Sequence, residues 1–228
     1  MNLKLVPMLL SGFVLLTACA SPTDTVPTPT LPSLAVTSIG LVPVPSSDSL
    51  TPVATAPGST PSSSANICSD PQITALIDSL KTAVTNEDGP LLASLVSPAS
   101  GLEVSYFHNG TAIKYDQNQA KFLFETTYPA DWGADPASGA QKIGPFHDVV
   151  VPALVKIFNQ PYTLHCNELK YGGASYPVNF PYDKDFYSIY FPGTQANGNM
   201  DWQTWVAGIE YVDGKPYLYA LMQFFWEP

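Results

Sequence analysis

The sequence predicts an α+β domain, with N-terminal helices packed on a curved antiparallel sheet built from the C-terminal third of the chain. Apolar residues recur at helical spacing at Ile73, Leu76, Ile77, Leu80 and Val84. From position 161 onward, aromatic and β-branched residues take over, and Asp213-Gly214 marks a tight turn between two long strand-like runs. The composition supplies the third observation: 45% hydrophobic and only 12% charged residues with 23 prolines is an odd average for one compact domain. Three unlike segments resolve it: an apolar leader at 1–19, a Pro/Ser/Thr tract at 20–65, and a core-bearing segment at 66–228. The last is long enough for one domain that buries roughly 70% of its unfolded surface.

Asp70 before Pro71 caps and starts the first helix, expected over 71–86. Gly89-Pro90 restarts a short second helix through Val96. Ser97-Pro98 and Gly101 break the chain before an alternating strand at Leu102, Val104 and Tyr106, and Asn109-Gly110 reads as a tight hairpin turn into 111–115. A third helix is expected at 117–126, then a Gly/Ala/Pro-rich loop at 128–144. Pro145 opens a helix to Phe158 that Pro152 should kink or restart. Strands are expected at 161–170, 185–192, 202–212 and 215–226.

A two-residue turn at Asp213-Gly214 puts Trp205, Ala207, Ile209, Leu218, Ala220, Met222 and Phe224 on one face, the core face. The opposite face then gathers Trp202, Glu210, Tyr217, Tyr219 and Gln223. That set is too aromatic for plain solvent and too polar for a second core, so a loop, a partner copy in a homodimer or a ligand should cover it.

The leader has Lys4, then an apolar run from Leu5 to Leu16, too short to span a bilayer and matched to a signal-peptide core. It ends in Leu16-Thr17-Ala18-Cys19, which resembles the lipobox of bacterial lipoproteins. The resemblance implies cleavage before Cys19, acyl chains (palmitate among them) on that residue, and a chain anchored through its N-terminal lipid on the extracytoplasmic side of the cell envelope. Residues 20–65 hold nine Pro and 18 Ser or Thr, with Asp24 and Asp48 the only charges. Such a segment buries too little to offset its ordering entropy and is expected to be a disordered tether reaching ~40 Å to ~140 Å.

Cys68 and Cys166 remain once Cys19 is acylated, and outside the cytoplasm they are expected to form a disulfide. A thiolate nucleophile at Cys166 beside His165 is disfavoured, because an exported thiol oxidises and strand neighbours point to opposite faces. All nine basic residues are Lys, against 19 Asp and Glu, for a net charge of −10. Nucleic acid is excluded as a partner, because it demands clustered cations.

Asp131, Asp135 and Ser138 lie in a Gly-rich loop that lacks EF-hand spacing, and Asp183-Lys184-Asp185 reads as a surface turn. His147-Asp148 sits at a helix start, where Asp148 complements the dipole. His108, His147 and His165 are separated, with no His-x-x-x-His pair for zinc. No nucleophile elbow, phosphate loop or dinucleotide fingerprint occurs, so no cofactor is expected and no catalytic residue is assigned. Asn109-Gly110-Thr111 is a glycosylation sequon by letter and a turn by physics.

Helices, a hairpin, another helix and a run of long strands is an order similar to the ketosteroid-isomerase-like, SnoaL-like cone fold, a cystatin-like roll. The segments Asp131-Trp132-Gly133, Asp201-Trp202 and Asp213-Gly214-Lys215-Pro216-Tyr217-Leu218 up to Trp226 resemble uncharacterised domains of exported bacterial proteins. The resemblance implies no activity; the outer hairpin face with Trp202, Tyr217, Tyr219, Glu210 and Gln223 is the expected recognition surface, and the mouth of the cone, with Trp132 and His147 nearby, is the competing location. The function expected is a non-catalytic module that binds a small ligand, glycan or protein. The alternative is a small exported hydrolase or isomerase using carboxylate or His acid/base chemistry.

Overall fold

The computed structural model describes residues 67–227; the leader, Cys19 and the tether of 20–65 lie outside the described residues. Helix α1 (Pro71–Asn86) starts where Asp70 accepts a hydrogen bond from the Gln72 amide at 2.8 Å, and α2 (Gly89–Leu95) starts under Asp88 in the same way. Strands β1 (Leu102–Ser105) and β2 (Ala112–Tyr115) pair antiparallel. Asn109-Gly110 is not a two-residue turn between them. A six-residue connection, 106–111, joins the strands, because Phe107 turns inward to 2% exposure and the Gly110 amide bonds back to its carbonyl. The third helix is shorter than expected: α3 (Gln117–Ala120) is one turn held by an Asp116/Gln119 capping box, and turns follow it.

The segment expected to be a loop at 128–144 forms its own hairpin, β3 (Ala130–Ala134) with β4 (Gln141–Gly144). Trp132 organises it: the ring is fully buried and its Nε1–H donates to the Gly144 carbonyl at 2.9 Å. Helix α4 (Phe146–Phe158) runs through Pro152 without a restart, with that proline on its exposed side. Then come β5 (Thr163–Cys166), β6 (Phe186–Phe191), β7 (Gln203–Val212) and β8 (Lys215–Phe225).

Six strands form one curved, mostly antiparallel sheet in the order β2-β1-β8-β7-β6-β5, with β1 lying parallel to β8. The inner face packs on the helices. Trp205, Ala207, Ile209, Leu218 and Leu221 join Ile73, Ile77 and Leu80 of α1 and Val150, Leu154 and Ile157 of α4 in one core. A disulfide joins Cys68 to Cys166, fixing the start of α1 to edge strand β5. Tyr162 and Leu164 pack inward beside Cys166.

Asp213 and Gly214 both have positive φ, as a type I′ turn requires. The register beyond it changes once. Ile209 faces Leu218, but Gly208 faces Ala220, which leaves Tyr219 as a bulge. Its ring lies over Gly208, where an added Cβ would meet Tyr219 Cζ at 2.6 Å. The bulge inverts β8 past position 219. Ala220, Met222 and Phe224 leave the expected inner face for the outer one, and Leu221 and Gln223 take the inner face.

The connection 167–185, part of which was expected to be strand, drapes over the outer face. Leu169, Tyr176, Val178, Phe180 and Tyr182 cover Trp202, Val206, Met222 and Phe224 in a second, smaller core. Thr204 donates to the Lys170 carbonyl at 2.6 Å, and Tyr176 donates to that of Phe225 at 2.9 Å.

Candidate functional site

The residues expected to form a recognition surface divide between the two faces of the sheet. Trp202 is buried, and its Nε1–H donates to the Gly173 carbonyl at 2.8 Å. It pegs the covering loop. Tyr219 is also buried beneath that loop, edge-on to Tyr182 at 5.7 Å, with Lys184 Nζ 4.7 Å from its ring centroid. Glu210 accepts from the Ser97 hydroxyl and from Lys184 Nζ at 2.8 Å. Burial opposes its ionisation, but hydrogen bonds from Lys184, Ser97 and Ser100 together with the Lys184 charge hold the carboxyl below its usual range. Tyr217 is half-buried under Lys215, whose Nζ lies 4.7 Å from the ring centroid. Trp132 belongs to the main core, 6.4 Å from the Phe146 ring. His147, half-buried at the start of α4, meets Asp148 at 3.1 Å through Nε2, while its Nδ1 is buried without a partner.

Gln223 is different, because the bulge delivers it to the inner face. There it pairs across the strands with Trp205, and Gln203 stands on the same face two residues earlier in β7. Both glutamines are buried, and the Oε1 atom of each has no hydrogen-bond partner. Trp205 Nε1, deeper in the core, is likewise buried and unpartnered. Such groups cost free energy unless something outside the fold satisfies them.

Gln203 and Gln223 line a cleft of about 460 Å³ between α4 and the open end of the sheet. Its walls include Tyr106, Phe225 and Trp226, with Lys142, Asp148 and Lys156 at the rim. Burial raises the Tyr106 hydroxyl pKa, and the nearby Asp135 carboxylate adds to the effect, so it stays a neutral donor. Gln203, Tyr106 and the two lysines were not singled out from the sequence. Gln203 alone carried a readable signal, since strand alternation puts a polar side chain on the face already assigned to Trp205.

A second ionisable pair lies outside the lining of the cleft. His108 Nδ1 sits 3.1 Å from Glu227 Oε1, its ring stacked on Tyr176 at 4.1 Å. Burial raises the Glu227 carboxyl pKa, against the pull of His108. Asp131 and Asp135 accept from backbone amides of their own hairpin, as in Asx turns. Among the described residues no group of His, Cys, Asp and Glu is arranged to hold a metal ion.

No family model matches the sequence, and no curated protein matches it. Among solved structures, the chain is similar to an NTF2-like protein of unknown function from Shewanella baltica OS155, at 8% identity and TM-score 0.28, over 69% of this chain and 92% of the other. A protein from Xanthomonas campestris, described as a calcium/calmodulin dependent protein kinase II association domain, gives 11% identity and TM-score 0.24 over 67% and 84%.

Proposed function

We propose that the domain is a non-catalytic binding module, held at the extracytoplasmic side of a bacterial membrane by lipid on Cys19, that takes a small polar ligand into the cleft between α4 and the open end of the sheet. The observation that carries this reading is the pair of buried, unpartnered amide oxygens of Gln203 and Gln223 beside that cleft. A fold optimised only for stability would place Leu or Met at both positions. The cleft volume lies within the range of small-molecule sites, and aromatic walls with a few convergent polar groups are their usual lining. The outer face of the last hairpin, the competing location, is occupied by the protein's own loop.

Titration of the protein with a fragment library, followed through the side-chain amide signals of Gln203 and Gln223 in NMR, tests the reading. Polar fragments that shift both signals, and lose affinity in Gln223→Met, support it. Binding confined to other surfaces would remove its basis.

A further inference from the structure

We infer that the ligand of this cleft is a hydroxyl-rich ring bearing a carboxylate, that is, an acidic saccharide of the uronic acid type. The inference rests on reading the cleft as the binding site and goes on to its chemistry. The floor carries two unpartnered acceptors, the amide oxygens of Gln203 and Gln223. The terminal torsion of a glutamine is soft, so either end of each amide can be turned toward the cleft. Hydroxyl groups both donate and accept. A ring with several of them satisfies both glutamines in any amide orientation, whereas an apolar ligand would leave both amides unpaired.

The walls suit the same ligand. Tyr106, Phe225 and Trp226 offer ring faces against which the C–H face of a pyranose can lie while its hydroxyl edge points to the glutamines. Trp226 is 38% exposed, a large apolar surface left open to solvent at the rim.

Charge supplies the acidic group. Asp148 is paired with His147, and Asp201 accepts from Thr194 and Asn197. Neither Lys142 nor Lys156 has a carboxylate partner among the ion pairs of the described residues. In a protein of net charge −10, these two lysines are the cations lining the cleft; Asp148 and Asp201 share the lining and Lys142 also draws down the Asp135 carboxyl, but neither lysine is held in a close ion pair, which leaves both positioned to meet an anion.

The test compares three probes on the full-length protein, each titrated by NMR: glucuronate, glucose and cyclohexanecarboxylate. Glucuronate should bind roughly tenfold tighter than either of the others, the factor that one charge-assisted hydrogen bond or a matched set of hydroxyls supplies. The double variant Lys142→Gln/Lys156→Gln should bring glucuronate down to the level of glucose, and Gln223→Met should weaken both sugars. Equal binding of glucose and glucuronate overturns the acidic part, and equal binding of cyclohexanecarboxylate overturns the saccharide part. If neither sugar binds, the inference fails. The cleft reading then stands if other fragments still shift Gln203 and Gln223, and falls with it if none does.

Discussion

Replacing Trp202 with Ala removes the peg that holds the 167–185 connection over the outer face of the sheet. The indole is 1% exposed, packs with Val206, Met222 and Phe224, and donates to the Gly173 carbonyl. The loop backbone lies flat against it, since a Cβ on Gly172 would sit 2.4 Å from Trp202 Cγ. Trp→Ala in a core costs 3–5 kcal/mol, so the expected loss is about 4 kcal/mol. For a domain of this size that lowers Tm by roughly 8–16 °C. Trp202→Phe keeps most of the packing and leaves the Gly173 carbonyl without its donor, for about 1 kcal/mol. Urea unfolding followed by far-UV circular dichroism gives both losses, and limited chymotrypsin digestion reports loop release through Tyr171, Tyr176 and Phe180. A loss below about 1 kcal/mol for Trp202→Ala, with digestion unchanged, would refute the reasoning that this side chain holds the loop down.

Reduction of the Cys68–Cys166 disulfide opens a loop with a sequence separation of 98 residues, and the chain-entropy model sets the loss at up to about 4.7 kcal/mol; melting with and without reductant measures it. The Thr194 amide and the Asn197 and Thr194 side chains hold the Asp201 carboxyl at about 2, from an ordinary 3.8. Its folded pKa is lowered, so its contribution to stability is present above the ordinary value and is lost as pH falls toward 2, and Asp201→Asn should flatten the acid unfolding limb in that window. Cys19→Ala should release the protein from membranes, with the intact mass of the wild-type chain showing acyl chains on residue 19.

Elements whose signals are local were legible in the sequence. Asp70-Pro71 fixed the start of α1, and Asp213-Gly214 fixed the turn before β8, because caps and tight turns depend on neighbours only. The disulfide followed from counting cysteines in a chain whose leader reads as an export signal. What was not legible depended on distant contacts. The β3–β4 hairpin exists because Trp132 finds a core pocket and the Gly144 carbonyl, which its Gly/Ala/Pro-rich context does not announce. The bulge at Tyr219 depends on Gly208 of the facing strand leaving room for a ring, and one unpaired residue is enough to exchange the faces of everything after it. That exchange moved Gln223 from the expected outer set to the cleft. Lys142 and Lys156 reach the same cleft from β4 and α4, a convergence of elements remote in sequence.

A binding role for the cleft requires that Gln203 and Gln223 be kept for a ligand at the expense of stability. Denaturant unfolding of ligand-free Gln203→Met and Gln223→Met measures this directly, since methionine keeps the length of the side chain and deletes the buried amide. If the amide oxygens are unpartnered in the fold, each replacement should leave stability unchanged or raise it, by about 1 kcal/mol. A loss of more than about 1 kcal/mol in either variant would mean that the amide is satisfied within the protein, and would contradict the assignment of this floor as a binding site.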